Sequence, residues 1–206
     1  MINIEEDYKT RVVDIWRKFK DIEVFNEVGC EYRKSPILPK MVKRNAILFI
    51  GINPAFPKNG KDGIKNKEIE FYPIVSEGVK DIPYFEKFKK IAEYCDNAGW
   101  THLDLFFMRE TNQQIIEELS YDNKGKSFLQ AQLDISFDII NRATPRIIIV
   151  SNSLASEFFG KRKFPKHSAF KKIWMGYDLD FEKAFDDQMG TYKINVGGKD
   201  TPIIFS

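Results

Sequence analysis

Cysteine and histidine are scarce in this chain of 206 residues. Cys30 and Cys95 are far apart, and His102 and His167 are the only imidazoles. None of them falls in a metal-ligand spacing, so no metal site is expected. Charge of one sign is lacking too. The 32 Lys and Arg nearly balance the 30 Asp and Glu, for a net charge of +2. Global electrostatics therefore do not mark a nucleic-acid binder, and any such role rests on local clusters. No apolar run approaches the ~20 residues of a membrane span. The opening MINIEEDYKT is charged and polar, so no secretory signal is expected. Two cysteines without such a signal point to a reducing compartment, so a cytoplasmic location is expected. Repeats and low-complexity linkers are also lacking.

What the chain has in quantity is phenylalanine, 18 residues of it. Each ring either fills a core or offers a stacking surface, and core packing is the ordinary use. Apolar periodicity then organises the chain. Tyr8, Val12, Ile15, Trp16 and Phe19 share one face of an amphipathic helix. The unbroken run AILFI, residues 46–50, reads as a strand buried on both faces, as in parallel sheets. Residues 51–82 read as one long loop rich in Gly and Pro, a length that is usually functional or disordered. PYFEKFKKIAEYC predicts a second helix, stopping at Gly99. HLDLFF, residues 102–107, predicts a strand with His102 at its start, where a structural role is expected for it. TNQQIIEEL predicts a short helix, and Ser127 is the expected cap of a longer one ending near Ala143. RIIIV, residues 146–150, predicts a third buried strand, followed by a helix stopping at Gly160. TYKINV and TPIIF flank GGKD as a hairpin. The alternation predicts a single domain over 1–206: a three-layer α/β/α fold with a central, mainly parallel sheet.

Ligands in open α/β sheets sit beyond the carboxyl ends of the strands. Three such ends are readable: Gly51-Ile52-Asn53-Pro54, Met108-Arg109-Glu110-Thr111 and Ser151-Asn152-Ser153. Proline at 54 stiffens Asn53, and Gly51 lets another group approach the backbone. An amide can hold a water or a polar edge but cannot deprotonate it. An Asn-Pro turn with no further role is the plain alternative.

FIGINPAFP resembles the first motif of the uracil-DNA glycosylase superfamily. The mismatch-specific and single-strand-selective branches carry Gly-hydrophobic-Asn-Pro-Gly at the end of the first sheet strand. Gly51, Ile52, Asn53 and Pro54 match it, and Ala55 replaces the last glycine. PRIIIVSNSLASEFF resembles the later strand-turn-helix of that fold, so the likeness spans roughly residues 44–160. The resemblance implies a target base flipped into a pocket. It implies Asn53 as the catalytic residue that positions the attacking water. Gly51, Ile52, Pro54, Arg109 and Asn152 would line the substrate site, with Phe56, Phe71 and Tyr72 as candidate stacking rings. The base would leave as an anion stabilised by a second, His-Pro-Ser-type motif.

That second motif is absent from the sequence. TPIIFS stands where a strand would lead into it, so the chain is expected to continue past Ser206 or to lack that half of the site. His167-Ser168 lacks the proline and the preceding strand. Arg109, Glu110 and Asn112 occupy the neighbourhood of a base-reading asparagine, and Arg109 and Glu110 are also placed to pair with each other. Asp104 has no assigned role. No organic cofactor is implied, and no cysteine cluster of the iron–sulfur kind is present. Lys58, Lys61, Lys65 and Lys67 form one basic cluster. Lys161, Arg162, Lys163, Lys166, Lys171 and Lys172 form another. Lys58, Lys61, Lys161, Arg162, Lys163 and Lys166 are the expected contacts to a DNA backbone, against the plainer alternative of a solvated face. The expected activity is hydrolysis of the N-glycosidic bond of a deaminated or damaged base. The alternatives are a non-catalytic DNA- or nucleotide-binding protein on the same fold, and an unrelated α/β hydrolase or binding protein. Oligomeric state is not legible.

Overall fold

The computed structural model describes residues 1–55, 68–73, 83–95, 99–161 and 185–206. At its centre is a six-stranded sheet. Its strands are β4 (Ile47–Gly51), β6 (Trp100–Asp104), β7 (Ile147–Val150), β8 (Phe185–Asp186), β9 (Thr191–Val196) and β10 (Lys199–Phe205). The spatial order is β6-β4-β7-β10-β9-β8. The first four strands run parallel, and β9 and β8 add on antiparallel. Gly51 lies opposite Asp104, and Ile50 opposite Val150, so the carboxyl ends of β4, β6 and β7 share one edge. This is the parallel trio expected from the three apolar runs.

Strict alternation along β4 divides the core between the two faces of the sheet. Leu48, Ile50 and Ile52 enter the larger core. That core also takes apolar side chains from helices α1 (Ile4–Lys18), α3 (Gln113–Leu119), α4 (Asn123–Ala143) and α5 (Ser153–Phe158). Ile47 and Phe49 enter the smaller core with Trp100 and with Phe88 and Ala92 of α2 (Pro83–Tyr94). Phe49 and Phe88 stack with centroids 4.3 Å apart. With both faces covered, an uninterrupted apolar run is the stable sequence for β4.

Helix α1 starts where Asn3 Oδ1 accepts the Glu6 amide at 3.2 Å. Acidic residues fill its first turn and Arg17 and Lys18 its last, as the helix dipole favours. Trp16, Phe25 and Phe128 pack edge-on and stacked beneath it. The hairpin joining β9 to β10 turns at Gly197 and Gly198, with φ of 58° and 82°. Positive φ at both central residues is what a two-residue hairpin turn requires, and glycine supplies it without strain. Two small pairings complete the fold: β1 (Ile2–Asn3) antiparallel to β3 (Met41–Val42), and β2 (Ile37–Pro39) parallel to β5 (Glu70–Tyr72).

Four expectations need correction. The 51–82 segment is not loop throughout, because Glu70–Tyr72 forms β5. Its partner β2 lies about thirty residues earlier, and local periodicity cannot report such a pairing. His102 is the middle of β6, which begins at Trp100. Ser127 is inside α4 and donates to the Asn123 carbonyl at 2.9 Å. The cap is Asp122, whose Oδ2 accepts the Gly125 amide at 2.7 Å. Arg109 and Glu110 do not pair with each other and turn to separate partners, given below. No helix among the described residues is long and apolar enough to cross a membrane.

Candidate functional site

Beyond the last β4 pairing the chain stays beside the β6 strand. Leu105 N donates to Gly51 O at 3.1 Å and Phe106 N to Ile52 O at 2.9 Å. The Asn53 side chain then crosses to the loop that follows. Its Nδ2 donates to Glu110 O at 2.6 Å, Pro54 O at 3.2 Å and Met108 O at 3.3 Å. Glu110 N returns a bond to Pro54 O at 2.9 Å. Three carbonyl oxygens around one nitrogen fix which end of the amide is NH2. Asn53 Oδ1 is consequently held on the other side, buried and without a partner among the described residues. Ile52 is buried beside it, Pro54 is half-buried and Ala55 is exposed.

Two ion pairs, one buried and one part-buried, brace these loops. Glu110 Oε2 meets Arg33 Nε and Nη2, both at 2.6 Å, while its Oε1 accepts the Asn112 amide at 2.8 Å. Arg33 also reaches Val24 O and Glu27. Arg109 donates to Ser35 O at 2.9 Å and to Glu70 Oε2 at 2.5 Å. Arg109, expected at the substrate, thus ties β5 and the segment before β2 to the β6 loop.

The face toward α2 carries a cluster that the sequence left without a function. His102 Nδ1 is 3.3 Å from the Tyr72 hydroxyl, and Nε2 is 3.4 Å from the Tyr84 hydroxyl. Phe88 stacks on the imidazole with centroids 5.7 Å apart. Asp104 Oδ1 lies 3.7 Å from His102 Nε2, beyond hydrogen-bond length. Tyr84 also hydrogen-bonds with Ser151, just beyond β7, so its hydroxyl links the middle of β6 to the end of β7. Gly51 leaves the space for this cluster: a Cβ there would lie 2.1 Å from Asp104 Oδ1 and 3.2 Å from the Tyr84 hydroxyl. Burial without a compensating charge drives all these groups toward neutrality. The Asp104 carboxyl is pushed up to about 7, the His102 imidazole is pushed down to about 3, and the Tyr84 phenol is pushed up to about 12.

The remaining candidates scatter. Tyr72 joins the cluster, while Phe71 packs against the larger core. The Asn152 side chain caps α5 by accepting the Ala155 amide at 3.0 Å. Lys161 Nζ sits 5.3 Å from the Phe205 ring centroid, near the end of β10. Phe56, Lys58, Lys61, Lys65, Lys67, Arg162, Lys163, Lys166, His167, Lys171 and Lys172 lie outside the described residues. Surface depressions of about 300 Å³ along α4 and about 550 Å³ beside Trp16 and Phe25 are lined by none of the strand-end residues. Among the described residues, no three His, Cys, Asp or Glu side chains converge as metal ligands would.

Sequence reasoning missed Asp104 and Tyr84. A signal existed for Asp104, since His102 and Asp104 alternate onto one face of a buried strand opposite a glycine. None existed for Tyr84, whose approach depends on how α2 docks. No family model matches the chain, and no curated protein or solved structure matches it either. The likeness to the glycosylase motif therefore rests on Gly51-Ile52-Asn53-Pro54 itself, and the structure adds an α/β fold with a mainly parallel central sheet.

Two stability predictions follow from the cluster. Gly51→Ala forces a methyl into the Asp104 carboxyl and should cost about 1–3 kcal/mol in urea unfolding. In an Asp104→Ala background that cost should fall by at least about 0.5 kcal/mol, whereas purely additive losses would show that the two residues do not collide. The second concerns pH. Asp104 binds its proton more tightly folded than unfolded. Its contribution is therefore full below its ordinary value of 3.8 and is lost as pH rises through about 7. His102 has the opposite slope, because its stability is lost as pH falls from its ordinary 6.5 toward about 3. Asp104→Asn removes only the first slope. It should stabilise the protein by about 2–4 kcal/mol more at about pH 8 than at about pH 4, measured by denaturant unfolding. An equal effect at both pH values would contradict the buried, uncompensated carboxyl.

Proposed function

We propose that this chain hydrolyses the N-glycosidic bond of a deaminated or damaged nucleobase in DNA, with the base held at the carboxyl ends of β4, β6 and β7. The observation that carries this proposal is the Asn53 amide. Its NH2 is committed to backbone carbonyls, and its Oδ1 is held in place as a buried acceptor with no partner among the described residues. An acceptor so fixed can take one hydrogen of a water and aim its lone pair at an anomeric carbon. The amide takes no proton, so it contributes orientation and not basicity. The match of Gly51 to Pro54 with the first uracil-DNA glycosylase motif, and an α/β fold around a mostly parallel sheet, support the same activity. Of the expected stacking rings, Tyr72 is the described one that lies in the cluster. Lys161, together with the other basic residues of both clusters, would meet the DNA backbone.

Asn53→Ala tests the amide. Loss of one positioning contact is worth on the order of 2.7–4 kcal/mol by analogy with an oxyanion-hole amide, or roughly 100- to 1000-fold in release of free base. The substrates are oligonucleotides carrying uracil, hypoxanthine or a mismatched thymine. Binding should weaken steeply with salt and change little in the variant. Asn53→Asp should keep or raise activity, because a carboxylate can accept a proton from the water. A protein that binds these oligonucleotides without releasing any base is a reader of DNA and not a glycosylase. One that does neither leaves Asn53 as a loop clamp alone.

A further inference from the structure

We infer that Asp104 is the proton donor to the departing base, a second catalytic residue on the opposite side of the strand ends from the sequence motif. This rests on the glycosidic hydrolysis proposed above and supplies what the recognised motif cannot. An anionic leaving group needs hydrogen-bond donors. Asn53 has spent both amide hydrogens on carbonyls. The Arg109 and Arg33 guanidinium groups are buried in ion pairs that brace the loops.

Asp104 differs from these in three ways. Its carboxyl makes no hydrogen bond to any described residue, and His102 Nε2 stands 3.7 Å from its Oδ1. It is not sealed, because 12% of its side chain is exposed at the strand ends. Among the described residues, no cation faces it from the elements packed against it. His102 faces it from β6, Tyr84 from α2 and Tyr72 from β5, while β4 offers only Gly51 and β7 the Ser151 hydroxyl. With His102 kept neutral, no positive charge in this set offsets the burial of a carboxylate, so the group rests protonated up to near-neutral pH. A buried O–H without a partner costs stability, and a bound base is the partner that offsets it.

The step balances with water as the only co-reactant. The bond from the anomeric carbon to the base nitrogen breaks, and its electron pair goes to the base. The Asp104 proton passes to the base. The water held by Asn53 forms the new carbon–oxygen bond, and the proton it sheds restores Asp104, directly or through solvent. The products are a neutral base and an anomeric hydroxyl.

The test is single-turnover base release by wild type and Asp104→Asn across about pH 5.5 to 9. The substrates are oligonucleotides carrying uracil, hypoxanthine or 5-fluorouracil. The wild-type rate should be level at low pH and fall about tenfold per unit above about pH 7. Asp104→Asn should be slower by about 100-fold or more on uracil and lose the inflection, with binding changed by less than about threefold. The fluorinated base departs more readily as an anion, so the variant's deficit on it should shrink by about tenfold or more. A variant within about threefold of wild type at every pH overturns the inference and leaves the glycosylase proposal standing. So does a deficit equal for uracil and 5-fluorouracil. A wild type that releases no base from any of these oligonucleotides overturns both.

Discussion

Everything at the carboxyl edge of this sheet depends on one side-chain clamp. Backbone carbonyls at the end of a buried strand must be satisfied without water, and Asn53 satisfies those of Met108 and Glu110 from the neighbouring strand end. Because Pro54 stiffens the chain just beyond, the amide holds the two loops at a fixed spacing. The same bonds leave Oδ1 as an oriented acceptor. In the proposed reaction, structural and chemical roles are therefore carried by opposite ends of one planar group.

The surroundings of the clamp divide into two electrostatic regimes. On the loop side, Arg33 with Glu110 and Arg109 with Glu70 are paired and hydrogen-bonded, the condition under which buried charge is tolerated. On the α2 side, His102, Asp104, Tyr72 and Tyr84 are all driven toward their neutral forms. A site of that kind offers oriented dipoles and a transferable proton instead of fixed charge. Gly51 marks the boundary, since any side chain there would displace the carboxyl.

Much of this was legible in the sequence, for physical reasons that also set the limits. AILFI and RIIIV declare buried parallel strands because both faces must be apolar, and the glycine pair in GGKD declares its hairpin because only a few residues adopt positive φ twice. The Gly-Ile-Asn-Pro stretch singled out the strand end that carries the clamp. What was not legible depends on tertiary placement. Glu70–Tyr72 becomes a strand only because β2 pairs with it. Asp122 displaces Ser127 as the helix cap because Gly125 packs its Cα against the Leu119 carbonyl, where a Cβ would come within 2.2 Å. Arg109 and Glu110, adjacent in sequence, diverge because each is held by a distant partner, Glu70 and Arg33.

The central claim is that a nucleobase lodges at the strand ends between Asn53 and Asp104. The most direct measurement is backbone amide chemical-shift mapping on isotope-labelled protein. The titrant is an oligonucleotide carrying a sugar-fluorinated, non-hydrolysable deoxyuridine, with the unmodified thymidine oligonucleotide as control. The account predicts that the modified base adds shifts concentrated at residues 51–54, 104–110 and 151–152. Shifts confined to the depressions on α4 or beside Trp16, with those strand ends unmoved, would contradict it.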